Sequence, residues 1–188
     1  MGIDYDPVDG RVYWSDIEDE TIRSAKLDGS DAQLVHSISQ GGSLWGLSLD
    51  SVSRLLFYAD HGNKVIGMIS LDTNSHQIVV DSDIDYPIDI ELDKHNGVLY
   101  WSDSNKVTIE RCNYDGSDRE TLVSASRHLE GPNGLALDIE GSLPGGGRCS
   151  SLRTPRFLLA SSGCSFLTPK IHTTCSSYPQ SSHGENTS

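Results

Sequence analysis

The sequence predicts an all-β chain made of consecutive β-propeller blades, and three observations carry that prediction. An aromatic–aromatic–small–Asp motif recurs as Tyr13-Trp14-Ser15-Asp16, Phe57-Tyr58-Ala59-Asp60 and Tyr100-Trp101-Ser102-Asp103, at a period of about 43 residues. The apolar runs between these motifs are short, rich in Val, Ile, Leu, Tyr and Trp, and divided by Asp, Asn, Gly and Pro. Asp9-Gly10, Asn96-Gly97 and Asp115-Gly116 supply hairpin turns, because glycine adopts positive φ without steric cost. A period near 43 also suits helical repeats of the HEAT type, but runs this short do not make their helices. Four short strands per period make one blade.

The first unit opens with Gly2-Ile3-Asp4-Tyr5, closed by Asp6, and runs through its motif to Ile22. It then passes the turn Leu27-Asp28-Gly29-Ser30 and ends on Leu34-Val35. The second repeats this order as Gly46-Leu47-Ser48-Leu49 with Asp50, the motif, Ile66, Leu71-Asp72-Thr73-Asn74 and Ile78-Val79-Val80. The third follows with Asp89-Ile90-Glu91-Leu92 and Asp93, the motif, Ile109, Tyr114-Asp115-Gly116-Ser117 and Leu122-Val123. A fourth copy of the opening strand stands at Gly134-Leu135-Ala136-Leu137-Asp138. Leu55-Leu56-Phe57-Tyr58 is apolar without alternation, so both faces of that strand require burial, as between two neighbouring blades. No helix longer than two turns is expected.

These motifs, with the preceding Gly-apolar-x-apolar-Asp strand and the following Ile and Leu-Asp-Gly-Ser turn, resemble the YWTD repeat, the LDL-receptor class B module. The resemblance covers residues 1–141, about three quarters of the chain. The first and third motifs carry Ser in place of Thr, and the second, Phe57-Tyr58-Ala59-Asp60, has lost both Trp and hydroxyl. The resemblance implies a six-bladed propeller, flanked by EGF-like modules in the parent protein. Such propellers occur in lipoprotein-receptor relatives, Wnt co-receptors and the basement-membrane protein nidogen. On this reading the chain is a partial six-bladed propeller of three blades and the first strand of a fourth.

Residues 142–188 form a second segment, Ser-rich and almost free of acid, in which Gly145 and Gly146 stand where the next aromatic pair is due. It reads as aberrant or disordered sequence, without the periodic apolar positions that would offset chain entropy. Of the 14 Lys+Arg and 27 Asp+Glu, ten and twenty-six lie in 1–141, giving that part a formal charge of −16 and the remainder +3. An acidic surface favours basic protein partners and disfavours nucleic acid. The N-terminus lacks the charge and apolar core of a signal peptide, and no run is long enough for a membrane helix. The resemblance implies an extracellular or cell-surface location for the parent protein. The four cysteines make no CxxC pair, and Cys112, inside a strand, reads as a buried free thiol.

The recurring acids Asp16, Asp60 and Asp103 read as turn caps, since catalytic groups converge on one place and these are spread around a ring. Tyr13, Trp14, Phe57, Tyr58, Tyr100 and Trp101 read as wedges between blades. Five residues before each strand-closing Asp stand Trp45, Ile88 and Asn133, a single oxygen ligand in three, too few for a calcium site. Neither catalytic residues nor a cofactor are expected. The histidines read as solvated, with pH sensing as the alternative. Trp45, with Asp83, Asp85 and Tyr86, reads as an acidic, aromatic rim for a basic protein ligand; the competing reading packs Trp45 under a neighbouring loop. Function is then non-catalytic protein binding. The alternatives are a calcium-dependent propeller hydrolase and a truncated product without independent function.

Overall fold

Three antiparallel sheets of four strands form in strict chain order, because each hairpin turn returns the chain beside the strand it has just left. The computed structural model describes residues 1–38, 41–124, 131–138 and 156–160. Blade 1 consists of β1 (Ile3–Asp6), β2 (Arg11–Asp16), β3 (Thr21–Lys26) and β4 (Gln33–Ser37). Blade 2 consists of β5 (Leu44–Asp50), β6 (Leu55–Asp60), β7 (Val65–Ser70) and β8 (His76–Val80). Blade 3 consists of β9 (Pro87–Asp93), β10 (Val98–Asp103), β11 (Thr108–Asn113) and β12 (Glu120–Val123). No helix occurs among the described residues.

One stretch of the C-terminal segment adds a strand to the fourth sheet. β13 (Gly134–Asp138) pairs antiparallel with β14 (Arg156–Ala160), from Gly134 opposite Ala160 to Asp138 opposite Arg156. The apolar run Phe157-Leu158-Leu159-Ala160 thus serves as a second strand without the expected aromatic pair. The rest of the expectation for 142–188 falls outside the described residues.

The first strands of successive blades approach so closely that side chains are excluded. A Cβ on Gly2 would lie 2.5 Å from the Leu47 nitrogen, and one on Gly46 would lie 2.7 Å from the Asp89 Cα. The seams between blades are apolar. Tyr13 and Ile22 of blade 1 meet Leu47, Leu49, Leu56 and Tyr58 of blade 2. Phe57, Ala59 and Ile66 of blade 2 meet Ile90, Leu99 and Trp101 of blade 3. Tyr100 and Ile109 cover Leu135 of the fourth sheet. β6 is accordingly buried on both faces, as its unbroken apolar run requires.

Trp14 departs from the expected wedge role. Trp101 is fully enclosed, whereas Trp14, at the same repeat position, is only half-buried. Its face of blade 1, with Ile3 64% and Tyr5 43% exposed, has no blade against it among the described residues.

One turn shows how the repeat tolerates an exception. The fourth residue after the strand-closing Asp is Gly10 at φ 64° and Gly97 at φ 66°, but Arg54 at φ 58°. The left-handed conformation is unfavourable for a side chain with a Cβ. Arg54 reaches into blade 1, bonding Asp6 at 2.5 Å and also Asp9, and touches Asp72 at 3.4 Å. Burial opposes the charge on Asp6, but the Val8 amide and the Arg54 guanidinium outweigh it and hold that carboxyl below the usual aspartate range.

Candidate functional site

Each motif aspartate ends the second strand of its blade, where the following turn leaves backbone amides without a ladder partner. Asp103 is fully buried and accepts from the amides of Asp85 at 2.7 Å, Tyr86 at 3.1 Å and Lys106 at 2.9 Å. Asp60 accepts from the Ser43 amide at 2.8 Å and from Asn63. Asp16 accepts from Glu18 and Asp19, both at 3.1 Å. In blades 2 and 3 the carboxylate therefore caps its turn and also fixes the segment leading into the first strand of its blade. That segment forms the rim.

Three rings meet on this rim across the seam between blades 2 and 3. Trp45 lies near the start of β5, where the ladder with β6 shifts register between Leu44 and Leu47. His61 follows Asp60 directly, and Tyr86 directly precedes β9. The His61 ring stands 6.0 Å from Trp45 and 4.1 Å from Tyr86, centroid to centroid. All three side chains are half-buried. Trp45 Nε1 and His61 Nδ1 are enclosed without a hydrogen-bond partner among the described residues. Burial lowers the pKa of His61, against an opposing pull from Asp60. His61 was missed in the sequence because a turn histidine gives no signal of ring contacts to two separate loops.

Asp83 and Asp85 sit on the same segment as Tyr86, but both carry intramolecular cations. Lys106 lies 2.9 Å from Asp83, and Lys64 lies 2.5 Å from Asp85, which also accepts from Asn105. Their hydrogen bonds hold both carboxyls below the usual range. Arg119 donates to the carbonyls of Ser82 at 2.5 Å and Asp83 at 2.6 Å, fastening the base of the segment to blade 3. The structure thus unites Trp45 and Tyr86 through His61, and sets the two acids beside them as ion pairs.

The three positions tested for calcium differ in setting: Ile88 is buried, Trp45 half-buried and Asn133 exposed. Among the described residues, no group of three His, Cys, Asp or Glu side chains is placed to hold a metal ion. Cys112 is buried and free, its thiol pushed up to about 12 by burial.

The first strands carry acids that sequence alone did not interpret. Asp4 accepts from the Leu49 amide of blade 2, and Asp89, at the position of Gly46, accepts from Leu135 of the fourth sheet, both at 2.8 Å. Glu91 lies beside them, and burial, then the charges of Asp89 and Asp4, push its pKa up to about 7. A carboxyl raised in the folded state favours folding below its unfolded value of 4.5 and opposes it as pH rises towards 7. Glu91→Gln is therefore expected to raise the melting temperature at pH 8 and leave it nearly unchanged at pH 4. An equal shift at both pH values would contradict this.

The stacked four-stranded sheets with one capping Asp per repeat define a β-propeller of the repeat class. Residues 97–139 match the family model of the low-density lipoprotein receptor repeat class B. The chain thus carries the LDL-receptor class B repeat. It is 38% identical over 134 residues to the human low-density lipoprotein receptor-related protein 5-like protein, covering 71% of this chain and 52% of that one. It is 34% identical over 134 residues to protein cueball of Drosophila erecta, covering 68% of this chain and 21% of cueball. A chain in the crystal structure of a nidogen/laminin complex superposes with a TM-score of 0.67 at 32% identity, over 73% of this chain and 52% of that one. The chain thus spans about half the length of the first of these relatives, and about a fifth of cueball.

Proposed function

We propose that this chain is a non-catalytic protein-binding segment of a β-propeller, within a lipoprotein-receptor-related cell-surface receptor or an extracellular-matrix protein. In that parent protein EGF-like modules flank the propeller, and the ligand presents a basic surface. Neither nucleic acid nor cofactor takes part. The observation that carries the reading is the Trp45–His61–Tyr86 cluster, aromatic surface held by two separate loops at a blade seam. Half-buried Trp and Tyr provide large contact area at small entropic cost, as binding hot spots do. The superposition on a chain from a nidogen/laminin complex supports an extracellular binding role. No helix among the described residues is long and apolar enough to cross a membrane.

The ion pairs beside the rings are compatible with a basic ligand. Side-chain exposure is 58% for Lys64 and 40% for Asp85, and 82% for Asp83. Pairs this exposed are screened by solvent and contribute little, so a ligand's Lys or Arg displaces the internal lysine at little cost. The acidic field of residues 1–141 steers such ligands inward.

Selection of displayed random peptides on the immobilised chain tests the reading. Lys- and Arg-rich sequences should be recovered on the wild type and lost on the Trp45→Ala/Tyr86→Ala double variant. Recovery of the same sequences on both would remove the rim from the account.

A further inference from the structure

Successive repeats place the same four positions at every seam. They are the second aromatic of the motif, the residues seven and sixteen beyond the motif Asp, and the residue twenty beyond the Asp of the preceding blade. Between blades 2 and 3 these are Trp101, Glu110, Arg119 and Val80. Arg119 lies 5.1 Å from the centroid of the Trp101 ring, and the buried Glu110 balances it at 2.8 Å. That seam carries a permanent cation together with its counter-ion.

Between blades 1 and 2 the same positions are Tyr58, Gly67, His76 and His36. The His36 and His76 rings stand 4.6 Å apart, and the Tyr58 hydroxyl lies 2.6 Å from His76 Nε2. Gly67 makes this possible, since a Cβ there would lie 2.2 Å from the Tyr58 ring. The same glycine removes the carboxylate that Glu110 supplies in the next seam. Ile22 and Ile69, the cross-strand partners of His36 and His76, lie in the apolar cluster of this seam.

We propose that the seam between blades 1 and 2 is acid-sensitive: protonation of His36 and His76 sets two cations against each other without a counter-ion and loosens β4 and β8 from one another. Among the described residues, neither imidazole has a carboxylate within ion-pair distance. The charge that bears on His36 comes from His76, and the carboxylate that bears on Tyr58 is Asp60, at the end of its own strand. The other buried apolar residues packed along the seam from β2, β3, β5, β6 and β7 are Tyr13, Ile22, Leu44, Leu47, Leu49, Leu56 and Ile69. Of these only Tyr13 titrates, and it does so on the alkaline side.

The sign follows from which state binds protons. Burial, reinforced by His76, lowers the pKa of His36 below 6.5. The unfolded chain therefore takes up protons first, and the seam loses stability as pH falls below about 6.5. The corresponding positions of the next seam, Trp101, Glu110, Arg119 and Val80, hold no imidazole.

Amide hydrogen exchange on the full chain at pH 7.5 and pH 5.5, corrected for intrinsic rates, tests this. Protection of β4 and β8 residues facing the seam is expected to drop at least about tenfold at pH 5.5, with that of β10 and β11 unchanged. His36→Gln should abolish the drop. Uniform loss across both seams, or an undiminished drop in His36→Gln, would overturn the proposal. If the variant does not fold, the imidazole titration of the wild type decides: an ordinary midpoint for His36, with no change at Tyr58, would also overturn it.

Discussion

Arg54→Ala is expected to lower the stability of the chain by about 3–5 kcal/mol at pH 7, the range for breaking a buried ion pair from one side. The Asp6 side chain is fully enclosed and Arg54 is its cation, so truncation leaves a buried carboxylate held by the Val8 amide and Ser51 without a counter-charge. The effect should depend on pH in a defined direction. Asp6 has a lowered pKa, so its contribution is present above 3.8 and disappears as pH falls through the folded value. Wild type and variant should therefore converge in acid. Arg54→Gly provides a control, because glycine relaxes the φ of 58° and should recover up to about 1 kcal/mol of the loss. Urea denaturation of the three proteins at pH 7 and pH 3 measures all of this. A gap that stays constant with pH would show that the ion pair is not the cause.

Trp101→Ala is expected to cost about 3–5 kcal/mol, the range for emptying a buried aromatic site. Trp14→Ala, the same substitution at the same repeat position, should cost far less because its ring is half-exposed on an uncovered face. The contrast isolates the seam from the blade, since both residues occupy the same place in a ladder of the same pairing. Comparable losses would mean that stability resides within blades and that stacking adds little.

Much of this architecture was legible because the repeat reports the same decision three times. The strand-closing Asp, the aromatic pair and the motif Asp recur in register; each motif Asp accepts turn amides, and Trp101 is enclosed at a seam whereas Trp14 is half-exposed. Arg54 was not legible: an arginine carries no turn signal, and its conformation became visible only against Gly10 and Gly97. His76 is exposed, as a solvated histidine should be, and His36 is half-buried; their ring contact was not legible, because it requires position twenty of one repeat to meet position sixteen of the next. Such contacts depend on how blades stack, which no local pattern encodes. The lysine partners of Asp83 and Asp85 were not legible for the same reason, lying about twenty residues away along the chain. β14 escaped notice because no motif announces Arg156–Ala160; its role comes from the open edge of β13.

The sequence contains three tryptophans, and their indole N–H resonances report three different places: Trp14 the uncovered face of blade 1, Trp101 the seam and Trp45 the rim. Titrating the chain with a lysine-rich peptide, against an aspartate-rich peptide of equal length, tests protein binding at the rim directly. The account predicts that the lysine-rich peptide shifts the Trp45 resonance in a saturable manner, leaves Trp101 in place, and that the acidic peptide shifts neither. Movement confined to Trp14, or no saturable shift at Trp45, would contradict it.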